Sequence, residues 1–235
     1  AGIAYNVEKM KSRLGGRMID SWDIVFNPEN LRKASIGRYL LDSPEDIFSI
    51  GLRYMRLNAD SKNPVDYLRV SGMLQKLRSF IKRYHSSNYI AGLAGGDVCL
   101  AIGWTGDAFQ ARNRARKSGY NIEASDIIPK EGVPVLDVFV ILIDAKNVTE
   151  ACPFIDYLLR PGSDQKNTNV TNFANGVTLS KQELSPETME SKSIYFDTKA
   201  MSKLYTEHRP TRHSKGWSRG NGNGSGAVDS IAAPD

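Results

Sequence analysis

The run Val98-Cys99-Leu100-Ala101-Ile102 carries no charge, and the turn Gly103-Trp104-Thr105-Gly106-Asp107 leads from it into a helix reaching Ser118. A continuous apolar strand is buried on both faces, which is the pattern of a parallel sheet covered by helices. A strand feeding straight into a helix is half of a β-α-β unit. This one segment therefore commits the chain to an α/β architecture with mostly parallel strands.

The rest of the sequence continues the alternation. Tyr39-Leu40-Leu41 reads as a small apolar strand, and Asp42-Ser43-Pro44-Glu45-Asp46 reads as the helix start that follows it. Asp42 or Ser43 can cap, Pro44 suits the first helical position, and the two acids sit where the helix dipole favours them. A second long helix is expected over residues 64–83, with Leu68, Leu74, Leu77, Phe80 and Ile81 as its inner face. Shorter helices are expected over residues 6–14, ended by Gly15-Gly16, after Asn27-Pro28, and over residues 86–94. Residues 127–128 and 135–143 read as strands, and residues 149–159 as a helix closed by Arg160-Pro161. The glycine-, asparagine- and serine-rich stretch within residues 214–235 reads as a flexible tail.

Several function classes are excluded at this level. No apolar run reaches the roughly 18 residues that a membrane-crossing helix needs. Two cysteines rule out a disulfide-dense scaffold and a four-cysteine zinc site, and three histidines leave little material for a metal centre. No cofactor is expected. There is no Gly-x-Ser-x-Gly elbow, phosphate loop or His-Glu-x-x-His motif, so catalysis has no visible machinery. His85 reads as an edge histidine at a strand end, Cys99 as a buried inert thiol and Cys152 as a helix-packing cysteine. The net charge is +5, of which +2 lies in residues 208–235. Without a dominant basic stripe, a nucleic-acid partner is not expected. Residues 1–11 do not read as a secretory signal. The chain is expected to be cytosolic or to begin downstream of its true start.

What remains is a set of aromatics and acids near strand ends. Trp104 and Asp107 follow one strand, Asp46 follows another, Asp137 opens a third, and Phe173 sits in the loop Thr171-Asn172-Phe173-Ala174-Asn175. In open parallel sheets, ligands bind outside the carboxyl ends of the strands. Aromatic faces attract ammonium groups, and carboxylates neutralise them. Such a mixture suits a ligand with ammonium ends and an apolar middle. Each residue also has a plainer reading. Asp46 and Asp107 suit first-turn helix acids, Asp137 a strand-end acid paired to a lysine, and Trp104 a core residue.

The chain resembles the periplasmic polyamine-binding proteins of ABC transporters, and within them the putrescine-binding type. The resemblance rests on Ser21-Trp22-Asp23, Pro28-Glu29-Asn30-Leu31 and Leu41-Asp42-Ser43-Pro44-Glu45-Asp46-Ile47-Phe48. It continues through His85-Ser86-Ser87-Asn88-Tyr89-Ile90, then Gly96-Asp97-Val98 on to Asp107, Ile128-Pro129-Lys130-Glu131-Gly132, Asp137-Val138-Phe139, Tyr157-Leu158-Leu159-Arg160-Pro161 and Phe173-Ala174-Asn175. These stretches run in the family's order from about residue 2 to 181.

The resemblance implies a type II periplasmic-binding-protein-like fold of two lobes that captures a diamine and presents it to an inner-membrane permease. It implies a monomeric, periplasmic, non-enzymatic protein whose ligand is putrescine or spermidine. It places Trp104 and Asp107 beside the ligand, with Asp137 as a second carboxylate. Ser86 matches a polar pocket serine. Phe173 stands in place of a tyrosine and Asp46 in place of a glutamate, and Val135 and Leu136 replace an aromatic residue. The family has a signal peptide and most of its first lobe ahead of the segment matching Gly2-Ile3-Ala4-Tyr5-Asn6, so a fragment or truncated product is expected. Residues 1–119 would form most of the second lobe and 120–181 the returning part of an incomplete first lobe. Residues 182–213 would cross back, and the tail at 214–235 would follow. Two other roles fit the same resemblance: an extracytoplasmic polyamine sensor and a non-binding remnant.

Overall fold

The computed structural model describes residues 1–15, 19, 21–33, 37–117, 137–191 and 194–195. The expected strand at 127–128, the first two residues of the one at 135–143, the tail at 214–235 and most of the expected crossing segment lie outside these residues.

Among the described residues, four strands form one mixed sheet: β1 (Gly2–Tyr5), β2 (Arg38–Leu40), β3 (Arg83–Tyr84) and β4 (Leu100–Gly103), in the spatial order β1-β4-β2-β3. β2 runs parallel to both β3 and β4, while β1 is antiparallel to β4 with Gly2 opposite Gly103 and Tyr5 opposite Leu100. β4 is buried along its whole length, as its unbroken apolar run predicts. β1 is one of the elements missed in the sequence. It is a four-residue run whose partner lies almost a hundred residues away, so nothing local marks the pairing.

The helices are α1 (Val7–Leu14), α2 (Asp23–Phe26), α3 (Pro28–Lys33), α4 (Pro44–Tyr54), α5 (Pro64–Leu77), α6 (Asn88–Ala94), α7 (Thr105–Lys117), α8 (Val148–Leu158), α9 (Pro161–Thr171) and α10 (Pro186–Glu190). Local chemistry sets their ends. The Asn6 side chain accepts from Lys9 N at 2.9 Å and caps α1, and Gly15 ends that helix in the left-handed conformation at φ 62°. Asn63 caps α5 in the same way, through Val65 N. The core gathers Phe26, Leu41, Ile50, Leu74, Leu93 and Ile102, each at most 1% exposed.

Four expectations are corrected. The helix from residue 64 stops at Leu77 and passes through a 3-10 turn, Arg78–Phe80. The next residues are taken by the sheet, because Lys82 N donates to Arg38 O and His85 N to Leu40 O, both at 2.9 Å. On α5, Leu68 is 58% exposed and Val70 is buried in its stead. The segment 137–143 is not a strand. A strand exists only beside a partner, and no described strand pairs with this one, so Val140 and Ile143 stand exposed. Cys152 is exposed instead of packed, and α8, which carries it, buries no residue. No helix of the described residues is long and apolar enough to cross a membrane.

Candidate ligand-binding site

The parallel strands β2, β3 and β4 end at one edge of the sheet. Their registers align Leu40 with Tyr84 and Tyr39 with Ala101. The residues that follow these strands therefore emerge together: Leu41-Asp42 with α4 behind it, His85-Ser86 with α6 behind it, and Trp104 with α7 behind it. This is the sheet edge at which α/β proteins bind ligands.

The best-defined part of this edge is the start of α7. Asp107 sits in the first turn of the helix, half-buried. Its Oδ2 accepts a hydrogen bond from the Tyr89 hydroxyl at 2.6 Å. The same hydroxyl oxygen accepts from Trp104 N at 2.9 Å. Asp107 Oδ1 accepts a long bond of 3.5 Å from Gln110 Nε2, which also donates to Thr171 O at 3.3 Å. Burial pushes the Asp107 carboxyl above the ordinary carboxylate range, opposed by the Tyr89 hydrogen bond and the positive charge of Arg114. Burial, reinforced by the bond to Asp107, raises Tyr89 far above an ordinary tyrosine and keeps it a neutral donor.

Phe173 reaches this spot from the loop after α9. Its ring lies so close to Gly106 that a Cβ there would fall 2.7 Å from ring carbons. The loop is itself anchored. Asn175 Nδ2 donates to Thr168 Oγ1 at 2.8 Å, and Asn175 Oδ1 accepts from Ser180 Oγ at 2.9 Å. Trp104 packs partly buried against the core, as its plainer reading predicts, while its backbone joins the Tyr89 contact. The structure thus brings Trp104, Asp107 and Phe173 to one place. Such a place can hold an ammonium group: a carboxylate supplies the counter-charge and rings supply apolar and cation–π contact.

The other candidates stand differently. Ser86 Oγ accepts from Asp42 N at 3.1 Å, so it ties the start of α4 to the end of β3 on the same sheet edge. Asp46 is 1% exposed, and its carboxylate accepts from the Ser43 hydroxyl within the first turn of α4. Asp137 is exposed, and among the described residues no hydrogen bond or ion pair joins it to Trp104, Asp107 or Phe173. His85 is the edge histidine expected. Its Nδ1 accepts from Ser87 N and Asn88 N at 3.0 and 3.1 Å and so caps α6.

Tyr89 and Gln110 are the residues missed. Tyr89 reads in sequence as one more aromatic in a short helix. The available signal was the glycine at 103, where a Cβ would lie 2.5 Å from the Tyr89 ring. A glycine closing a buried strand marks the close approach of a large neighbour.

No family model matches the chain. Individual proteins do. PotF of Escherichia coli, a putrescine-binding periplasmic protein, is 42% identical over 209 residues, covering 87% of this chain and 56% of that protein. SpuD of Pseudomonas aeruginosa, also a putrescine-binding periplasmic protein, is 36% identical over 208 residues, covering 87% of this chain and 57% of its own length. Over the stretch they share, this chain is similar to periplasmic putrescine-binding proteins. It spans a little over half the length of these curated relatives. Solved structures share its fold. The spermidine/putrescine substrate-binding protein PotD of Streptococcus pneumoniae superposes with a TM-score of 0.72 at 20% identity, covering 98% of this chain and 65% of that one. A putative spermidine/putrescine transporter protein of Listeria monocytogenes gives 0.75 at 22% identity, covering 90% of this chain and 61% of that one. These relatives are binding proteins by name.

Proposed function

We propose that this chain is the substrate-binding component of a putrescine-type polyamine ABC transport system. It works in the periplasm as a monomer and hands its ligand to an inner-membrane permease. Asp107 meets one ammonium end of the diamine, with Trp104 and Phe173 against the methylene chain. Asp137 serves the far end, and Ser86 and Asp46 line the sheet edge. The observation that carries this reading is the Asp107 carboxylate, half-buried beside Trp104 and Phe173 at the carboxyl ends of the strands. Its company with relatives named for putrescine supports the choice of ligand.

A thermal melt with and without putrescine tests it, with 1,4-butanediol as a neutral control of the same length. Ligand at 100 times its dissociation constant stabilises by about 2.7 kcal/mol. For a chain of this size that raises the Tm by roughly 5–11 °C. A rise with putrescine and none with the diol supports the reading. Equal behaviour with both, or no rise with putrescine or spermidine, contradicts it.

A further inference from the structure

Tyr89 is the second residue of α6, fully buried, and its hydroxyl lies between two groups of the strand–helix turn. A backbone N–H can only donate, so the bond from Trp104 N uses an acceptor site of the hydroxyl oxygen. The one hydroxyl proton is then committed to Asp107 Oδ2. Trp104 N belongs to the residue just before α7, where backbone donors lack helical partners. Tyr89 therefore satisfies one of these donors and the carboxylate together. Its ring is rigid and is packed against Gly103, so the hydroxyl has no other place to go. An aspartate in a first helical turn can otherwise swing back to its own helix amides. The short bond from α6 prevents that, and the weaker bond from Gln110 holds the second oxygen.

We propose that Tyr89 is a positioning residue of the binding site: its hydroxyl, seated between the Trp104 amide and Asp107, fixes the direction of the carboxylate that a diamine ammonium meets. The proposal rests on the reading of Asp107 as the ammonium partner. Among the described elements packed against α7, α6 offers Tyr89 as its titratable group, β1 offers Tyr5, and α9 offers Asp164 and Lys166. α7 itself carries Arg112, Arg114, Arg116 and Lys117, and of these side chains Tyr89 and Arg114 act on the ionisation of Asp107. Losing the Tyr89 bond removes a contact that favours the ionised form, so the carboxyl must then titrate at higher pH.

The test is Tyr89→Phe, with Tyr54→Phe as control. Tyr54 also gives its hydroxyl to an aspartate, Asp23 at 3.0 Å, but across the contact between α4 and α2. The first readout is the NMR titration of the Asp107 carboxyl carbon without ligand. Its midpoint should rise in Tyr89→Phe and stay put in Tyr54→Phe; an unmoved midpoint in Tyr89→Phe overturns the proposal. The second is calorimetry with putrescine across pH. Tyr89→Phe should bind on the order of tenfold more weakly near neutral pH, the loss expected for one hydrogen bond to a charged group. Its affinity should also fail at a higher pH on acidification. Wild-type affinity and pH profile in Tyr89→Phe overturn the proposal. If wild type binds no putrescine, the ligand reading falls and the ammonium role of this pair falls with it, while the NMR midpoint still reports whether Tyr89 governs the carboxylate. Should Tyr89→Phe fail to fold, the wild-type protein carries the test. The Tyr89 Cζ resonance must then titrate with the same midpoint as the Asp107 carboxyl, and independence of the two overturns the proposal.

Discussion

Gly103→Ala probes the tightest contact at the site. A Cβ at position 103 would lie 2.5 Å from Cε2 and Cζ of the Tyr89 ring and 2.7 Å from its hydroxyl oxygen. Carbon atoms rest comfortably at about 3.5–4.0 Å, so the ring would have to retreat by about 1 Å. It has no room, because Tyr89 is 0% exposed and its hydroxyl holds both Asp107 and the Trp104 amide. Overpacking of this kind costs about 1–3 kcal/mol. Stretching a hydrogen bond to a charged group gives up part of a further ~1.5–3 kcal/mol. The expected loss is about 2–4 kcal/mol, a fall in Tm of roughly 5–15 °C for a chain of this length. Urea unfolding followed by tryptophan fluorescence measures it. Gly106→Ala is the control. Its Cβ would also meet a ring, that of Phe173, but Phe173 is 39% exposed in a loop and can yield. Alanine also gains up to about 1 kcal/mol over glycine in a helix. The net change at position 106 should stay within about 1 kcal/mol. In a Tyr89→Leu background, Gly103→Ala should cost much less than in wild type. A cost below about 0.5 kcal/mol, or the same cost in both backgrounds, would refute the packing reasoning.

Asp107→Asn should not destabilise the protein at pH 7. The folded pKa lies above the ordinary 3.8, so the folded state binds more protons between the two values and stability falls as pH rises through that window. Above the window the ionised carboxylate carries its full burial cost, which asparagine lacks. Urea midpoints should therefore match or exceed wild type at pH 7 and converge near pH 3, and a clear loss at pH 7 would make the carboxylate structural first. Trp104→Leu should weaken putrescine binding by about 1–2 kcal/mol, read by calorimetry; unchanged binding with lowered stability would leave Trp104 a core residue only. Leu142→Lys, at a position 68% exposed, should change the urea midpoint by no more than about 0.5 kcal/mol. A loss above about 1 kcal/mol would mean that this segment is paired after all.

Features whose cause lies within a few residues were legible in the chain. Asn6 and Gly15 bracket α1, Pro44 opens α4, and β4 runs directly into α7 as its apolar stretch demands. Trp104 and Asp107 could be singled out because a strand-to-helix turn puts them at a sheet edge whatever the rest of the fold. Features set by distant partners were not legible. β1 is defined by β4, and β3 takes Arg83, which helical spacing assigns to the helix from residue 64. The segment 137–143 has the composition of a buried strand but finds no described partner. Ser43 looked like a cap, yet its hydroxyl turns to Asp46 and makes no cap bond. Tyr89 escaped notice because its role depends on meeting Asp107 from another helix.

The most direct measurement is the calorimetric titration of putrescine into the wild-type chain and into Asp107→Asn, side by side at pH 7.5. If Asp107 is the ammonium partner, wild type binds one putrescine and the variant binds at least on the order of tenfold more weakly, since a charge-assisted bond is lost and an ammonium is left without its counter-charge. Equal affinity in the two proteins would contradict the role given to Asp107 and, with it, the site built around that residue.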